Sequence, residues 1–155
     1  MIKNIILGKI LIGGVKMKIV YWSGTGNTEK MANLIAEGIK EGGKDAEIVN
    51  VSSANPDIFN EEEIVILGCP AMGDEVIEES EFEPFIEEIS GKVNGKKVAL
   101  FGSYGWGNGE WMESFEERIS SYGGSLVIDS LIIQNEPEGS SEDQCIEFGQ
   151  SIAKI

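Results

Sequence analysis

Histidine is missing altogether from the 155 residues. Its absence removes both the commonest general base and the commonest metal ligand. Cysteine is nearly as scarce. Cys69 and Cys145 form no metal-ligand pattern and fall in elements that need not be neighbours, so both read as free thiols of the cytoplasm. Basic residues are few, 12 Lys and Arg against 27 Asp and Glu, for a net charge of −15. That balance argues against nucleic acid and anionic membranes as partners and favours basic protein surfaces. No repeats or low-complexity tracts occur. What remains, 41% apolar and 25% charged, describes one globular domain large enough for a three-layer core.

The chain is organised around Lys18–Thr28 and the residues it runs into. An apolar, β-prone run, Ile19-Val20-Tyr21-Trp22, halts at Gly24 and Gly26. Apolar residues then recur at Met31, Ala32, Leu34, Ile35 and Ile39, which is helical spacing. Between strand and helix stand Ser23, Thr25, Asn27 and Thr28, all with hydroxyl or amide side chains. Such a strand–loop–helix aims unpaired N–H groups and a helix dipole at one point, a site for an anion, most often phosphate. The loop lacks the Gly-Lys-Ser/Thr of a Walker A motif. It also lacks the third glycine of a dinucleotide fingerprint, because Glu29 stands there. No lysine or arginine lies inside it, and Lys30 only follows in the first helical turn, so a phosphate here depends on neutral donors. Several charge-assisted hydrogen bonds of roughly 1.5–3 kcal/mol each, with ~0.3–2 kcal/mol from the helix terminus, suffice. The plainer alternative is a Ser/Gly turn in which Asn27 or Thr28 caps the helix.

Strand one is expected near 18–22 and helix one near 27–41, closed by Gly42-Gly43. Residues 46–51 read as an edge strand, and 52–63 as a polar connection with room for a short helical turn at Pro56. The uninterrupted apolar runs Ile64–Cys69 and Lys97–Ser103 mark strands covered on both faces. A fifth strand is expected over Ser125–Ile133, with helices near 82–90, 110–122 and 142–154. The alternation implies a three-layer α/β fold, a five-stranded parallel sheet with helices on both faces. In such folds ligands bind beyond the carboxyl ends of the strands, where the strand order reverses. The loops 23–28, 70–75 and 103–109 all follow strand ends and are expected to meet there. The first sixteen residues are apolar but broken by Lys9 and glycines, too short to span a bilayer, and carry no small-x-small cleavage site. They read as an upstream start or a loosely held extension before a single domain over 17–155, with an added edge strand as the alternative.

With these loops in place the sequence resembles the flavodoxins, specifically the short-chain type of anaerobic bacteria, over about residues 17–155. The residues carrying the resemblance are Ser23-Gly24-Thr25-Gly26-Asn27-Thr28, Met72-Gly73-Asp74-Glu75, Ser103-Tyr104-Gly105-Trp106-Gly107 and Asn135-Glu136-Pro137. Strand order 2-1-3-4-5, with FMN at the switch point, is borrowed from that family rather than read from the residues. The resemblance implies FMN as cofactor, with its phosphate in the 23–28 loop. The ring would lie between the 72–75 and 104–107 loops, with Trp106 over one face and Met72 on the other, and Ala71 and Ser103 are counted with the cofactor site. Tyr104, counted with that loop, and Trp111 read as packing residues. Glu75 is expected to meet the ring's N3–H. Gly73 is expected to tune the semiquinone, because the peptide after it turns over in the family and glycine tolerates both backbone states. Pro70 stands where relatives can offer a phosphate a serine hydroxyl, which implies one donor fewer.

The implied function is a low-potential electron carrier, a monomer standing in for ferredoxin between basic-surfaced redox proteins, and not an enzyme. The alternatives are an FMN-dependent oxidoreductase of the same fold (a quinone or NAD(P)H reductase, or an activator of ribonucleotide reductase) and a non-redox phosphate-binding module. No additional substrate loop is visible, which favours the carrier. Residues 61–88 hold eleven Asp or Glu and no Lys or Arg. Besides forming a solvated face, these carboxylates disfavour a negatively charged reduced flavin. One charge ~10 Å away costs about 0.8 kcal/mol at an effective dielectric near 40, roughly 35 mV, before salt screening. The same face would steer docking onto basic partners.

Overall fold

A computed structural model describes residues 16–73 and 75–155 of the chain. The segment read above as an extension therefore lies, but for Lys16, outside the described residues, as does Asp74. In chain order the elements are β1 (Lys16–Tyr21), α1 (Asn27–Glu41), β2 (Asp45–Asn50), two 3-10 turns (Val51–Ser53 and Pro56–Phe59) and β3 (Ile64–Gly68). There follow α2 (Phe82–Glu88), β4 (Lys97–Tyr104), α3 (Glu110–Ser121), β5 (Ser125–Leu126), β6 (Leu131–Gln134) and α4 (Ser140–Ala153). β1 begins at Lys16, one residue before the expected start of the domain.

All strand pairs are parallel, in the order β2-β1-β3-β4, with β5 and β6 both bonded to the far side of β4. The order 2-1-3-4-5 thus holds, but the expected fifth strand is two pieces. β5 pairs with Lys97 and Val98, and β6 with Phe101–Tyr104. Asp129 and Ser130 interrupt the apolar run between them, and the Ser130 hydroxyl donates to Glu116 Oε2 on α3 at 2.5 Å.

Alternation within each central strand feeds two cores. Val20, Val65, Leu67, Val98 and Leu100 face α2 and α3, packing with Phe82, Phe85, Trp111 and Phe115. Ile19, Tyr21, Ile66, Ala99 and Phe101 face α1 and α4, packing with Met31, Ile35, Phe148 and Ile152. β3 is buried along its whole length, as its unbroken apolar run requires. α1 and α4 touch backbone to backbone, since a β-carbon on Gly38 would stand 2.0 Å from Ile146 O and one on Gly149 2.1 Å from Ile35 O. Both free cysteines are buried. Burial raises the Cys69 thiol well above its ordinary range and pushes Cys145 up to about 12, so neither is a nucleophile at neutral pH.

Candidate functional site

The hydrogen-bond ladder continues past the strand ends and fixes where the loops begin. Trp22 N donates to Gly68 O at 3.0 Å, Ala71 N to Ser103 O at 2.9 Å, and Asn135 N to Tyr104 O at 2.8 Å. Between them opens a cleft of about 310 Å³ at the carboxyl edge, where β1 and β3 part to opposite sides of the strand order. Its walls are Gly24, Thr25 and Asn27 on one side and Pro70, Ala71 and Met72 on another, with Ser103, Tyr104 and Gly105 opposite. Trp22 and Asn135 complete the lining. The volume falls at the lower end of the range for small-molecule sites.

At the first wall, α1 is capped by Gly26 at φ 99°, a left-handed conformation that glycine adopts freely, and no side chain of that residue closes the helix. Neither Asn27 nor Thr28 is the cap. Ser23 Oγ instead accepts from Gly26 N at 3.1 Å and Glu29 N at 3.2 Å, pinning the loop from within. Among the described residues, the N–H groups of Gly24, Thr25 and Thr28 find no protein acceptor. The Thr28 side chain is buried beneath the cleft, its Oγ1 2.8 Å from Ser103 Oγ, so it joins the loop after β4 to the base of α1. The hydroxyls of Ser23 and Thr28 thus support the wall, whereas Gly24, Thr25 and Asn27 form it.

The second loop folds back on itself through Glu75 N to Met72 O and Met72 N to Val76 O, both 2.9 Å. Met72 reaches the cleft, while exposed Gly73 lines the outer side of the turn with Val76 and Glu78. Glu75, at φ 56°, turns its carboxylate toward the start of α3, where Oε1 accepts from Trp111 N at 3.2 Å. Its Oε2 is buried without a partner and lies against Gly107, where a β-carbon would stand only 2.0 Å away. A buried acceptor left open in this way is uncommon in folded proteins. The third loop carries Trp106 on its tip, 64% exposed between Gly105 and Gly107. Trp111, by contrast, is fully buried with its indole N–H on Cys69 O at 3.1 Å, a packing residue. Tyr104 does both, lining the cleft and tilting against Trp111 at 5.7 Å between ring centres.

Not all of the acidic stretch is a solvated face. Glu78 is buried, and its carboxylate accepts from Ser80 N (2.7 Å), Ser80 Oγ, Glu81 N (2.8 Å) and Phe82 N (2.9 Å), closing the start of α2. Burial would raise this carboxyl, but those donors outweigh it and hold it below the ordinary glutamate range. Arg118 pairs with Glu83 through both guanidinium arms and holds that carboxyl low as well. Sequence reading passed over Trp22, taken as the end of a strand. Its ring folds back over Gly24 while Nε1 donates to Glu81 Oε1 at 3.2 Å. The available signal was its place directly before Ser23-Gly24, at a strand end that opens onto the cleft.

These features define a doubly wound α/β domain with an open cleft at the switch point of its sheet, walled on one side by the N-terminal loop of α1. A flavodoxin family model matches residues 19–149. The flavodoxin of Clostridium beijerinckii is 68% identical over 139 residues, covering 90% of this chain and all of the relative. That of Megasphaera elsdenii is 46% identical over 138 residues, covering 89% and 98%. The solution structure of the two-electron reduced Megasphaera elsdenii flavodoxin superposes with a TM-score of 0.81 at 45% identity, covering 90% of this chain and 99% of that one. The chain belongs to the flavodoxin family, and so is an FMN-holding electron-transfer protein, not an enzyme. No described helix is long and apolar enough to cross a membrane.

Proposed function

We propose that the domain over 17–155 is a low-potential carrier working in place of ferredoxin between basic-surfaced redox proteins of the cytoplasm, as a monomer. The observation that supports the site assignment is the meeting of three strand-end loops on one cleft, with the open N–H groups of Gly24 and Thr25 on one side, while Glu75, Trp106 and Gly107 lie outside its lining. Gly24, Thr25, Asn27 and Thr28 would hold the phosphate of FMN through backbone N–H and hydroxyl donors, with Ser23 and Gly26 setting the loop. Ala71, Met72, Ser103, Tyr104 and Gly105 would flank the ring, Trp106 would cover its outer face, and Glu75 would take up its N3–H. Gly73, Asp74 and Gly107 complete the turns around it.

Bound there, FMN supplies one-electron chemistry that no side chain of this protein offers. The chain's part is to orient the ring, keep water from its inner face and surround it with negative charge. A net charge of −15 supports basic partners, through steering that weakens as salt rises. The test is a visible spectrum of the purified protein followed through stepwise reduction. A yellow protein that takes up electrons in two separate stages is expected. A colourless protein that refuses FMN on titration overturns the reading, and direct turnover of NADPH with a quinone overturns its carrier part.

A further inference from the structure

Lys30 follows the anion loop yet is not spent on it. From the first turn of α1 its ammonium reaches Glu136 Oε2 at 2.9 Å and Glu142 Oε2 at 3.1 Å. These carboxylates belong to two further segments. Glu136 directly follows Asn135, a wall residue of the cleft, and Glu142 lies in the first turn of α4. We propose that Lys30 is a positioning residue of the cofactor cleft, cancelling two carboxylates that would otherwise push the Asn135 wall outward and repel a bound phosphate. This inference rests on the FMN reading.

The path of the chain makes the tie necessary. Asn135 is pinned on its inner side by its N–H to Tyr104 O at 2.8 Å, helped by Gln134 Nε2 on Gly105 O at 3.2 Å. Beyond it the backbone leaves regular structure, with positive φ at Asn135 (61°) and again at Gly139 (57°). Across that connection the ammonium of Lys30 binds the wall residue's neighbour to both helices. The two carboxylates share one nitrogen, so they stand close together and repel once it is gone. Hydrogen bonds donated by the ammonium to Glu136 and Glu142 hold it above its ordinary range. Isolated surface pairs contribute little, whereas a three-group network with one cation between two anions is the favourable case.

The experiment titrates apoprotein with FMN and with riboflavin, which lacks the phosphate, following quenching of flavin fluorescence. It compares wild type, K30R, K30Q and the neutralised K30Q/E136Q/E142Q, each checked for folding by its far-UV circular dichroism. Lys30→Gln is expected to weaken FMN about three- to tenfold and riboflavin by less. Lys30→Arg should bind as wild type does, and the neutralised variant should recover most of the lost FMN affinity. Wild-type FMN affinity in K30Q overturns the inference, as does equal weakening of both flavins without recovery on neutralisation. Failure of the wild type itself to bind FMN overturns the FMN reading and this inference with it, whereas normal wild-type binding with K30R or the neutralised variant as weak as K30Q overturns the inference alone.

Discussion

Replacing Trp106 with alanine separates cofactor binding from folding better than any other change in this site. The side chain is 64% exposed, on a loop tip between two glycines. A tryptophan offers up to about 250 Å² to solvent, so roughly 160 Å² is free here, of which a planar ligand covering one face would remove about 80 Å². At ~25 cal/mol per Å² that burial is worth about 2 kcal/mol, and offset stacking adds roughly 0.5–1.5 kcal/mol. Trp106→Ala should therefore raise the FMN dissociation constant on the order of 100-fold. The folded apoprotein loses almost no contacts, so its urea midpoint should stay where it was. Fluorescence titration gives the first quantity and chemical denaturation of the apoprotein the second. An unaltered dissociation constant refutes the assignment of Trp106 to the ring. A large drop in apoprotein stability would show instead that the indole packs against the protein.

Gly73 has open space where a β-carbon would go and no positive φ, so Gly73→Ala should leave the melting temperature of the apoprotein unchanged. Any alternative backbone state requiring positive φ would be disfavoured by roughly 1–2 kcal/mol. The one-electron stage in a dithionite titration of the FMN-loaded variant should shrink accordingly, and an unchanged yield removes Gly73 from that role. Glu78→Gln should cost about 2–4 kcal/mol in urea denaturation at pH 7, because an amide turns one N–H-bearing end toward donors that now meet a carboxylate. The carboxyl is held low in the folded protein, so its contribution is complete above the unfolded value of about 4.3 and is lost as pH falls through the folded value. The gap between wild type and variant should close in that acid window, and a gap independent of pH refutes the account.

How far the site could be read from the residues varies with the kind of interaction. The Ser23–Thr28 loop is legible because strand, glycine pair and helix follow one another directly, and local chemistry alone turns the chain there. Trp106 is legible for a similar reason, since glycines on both sides deny it a packed surrounding. Glu75 and Glu78 are not. Both sit in one acidic run, yet one carboxylate turns to α3 and the other to the start of α2, which depends on the helix each happens to approach. The break in the fifth strand falls at the polar pair Asp129-Ser130, which is local, but the bond from Ser130 to Glu116 on α3 is one that no local pattern encodes.

The sequence by itself determined the parallel α/β class, the burial of β3 and the composition of all three loops, because periodicity, glycine placement and apolar run length act over a few neighbouring residues. Only the tertiary structure decided which carboxylates remain in water and which seat Lys30, close α2 or leave an acceptor open beside Gly107. Those outcomes depend on distances between segments far apart in the chain, and charge finds its partner only after the sheet has brought the segments together.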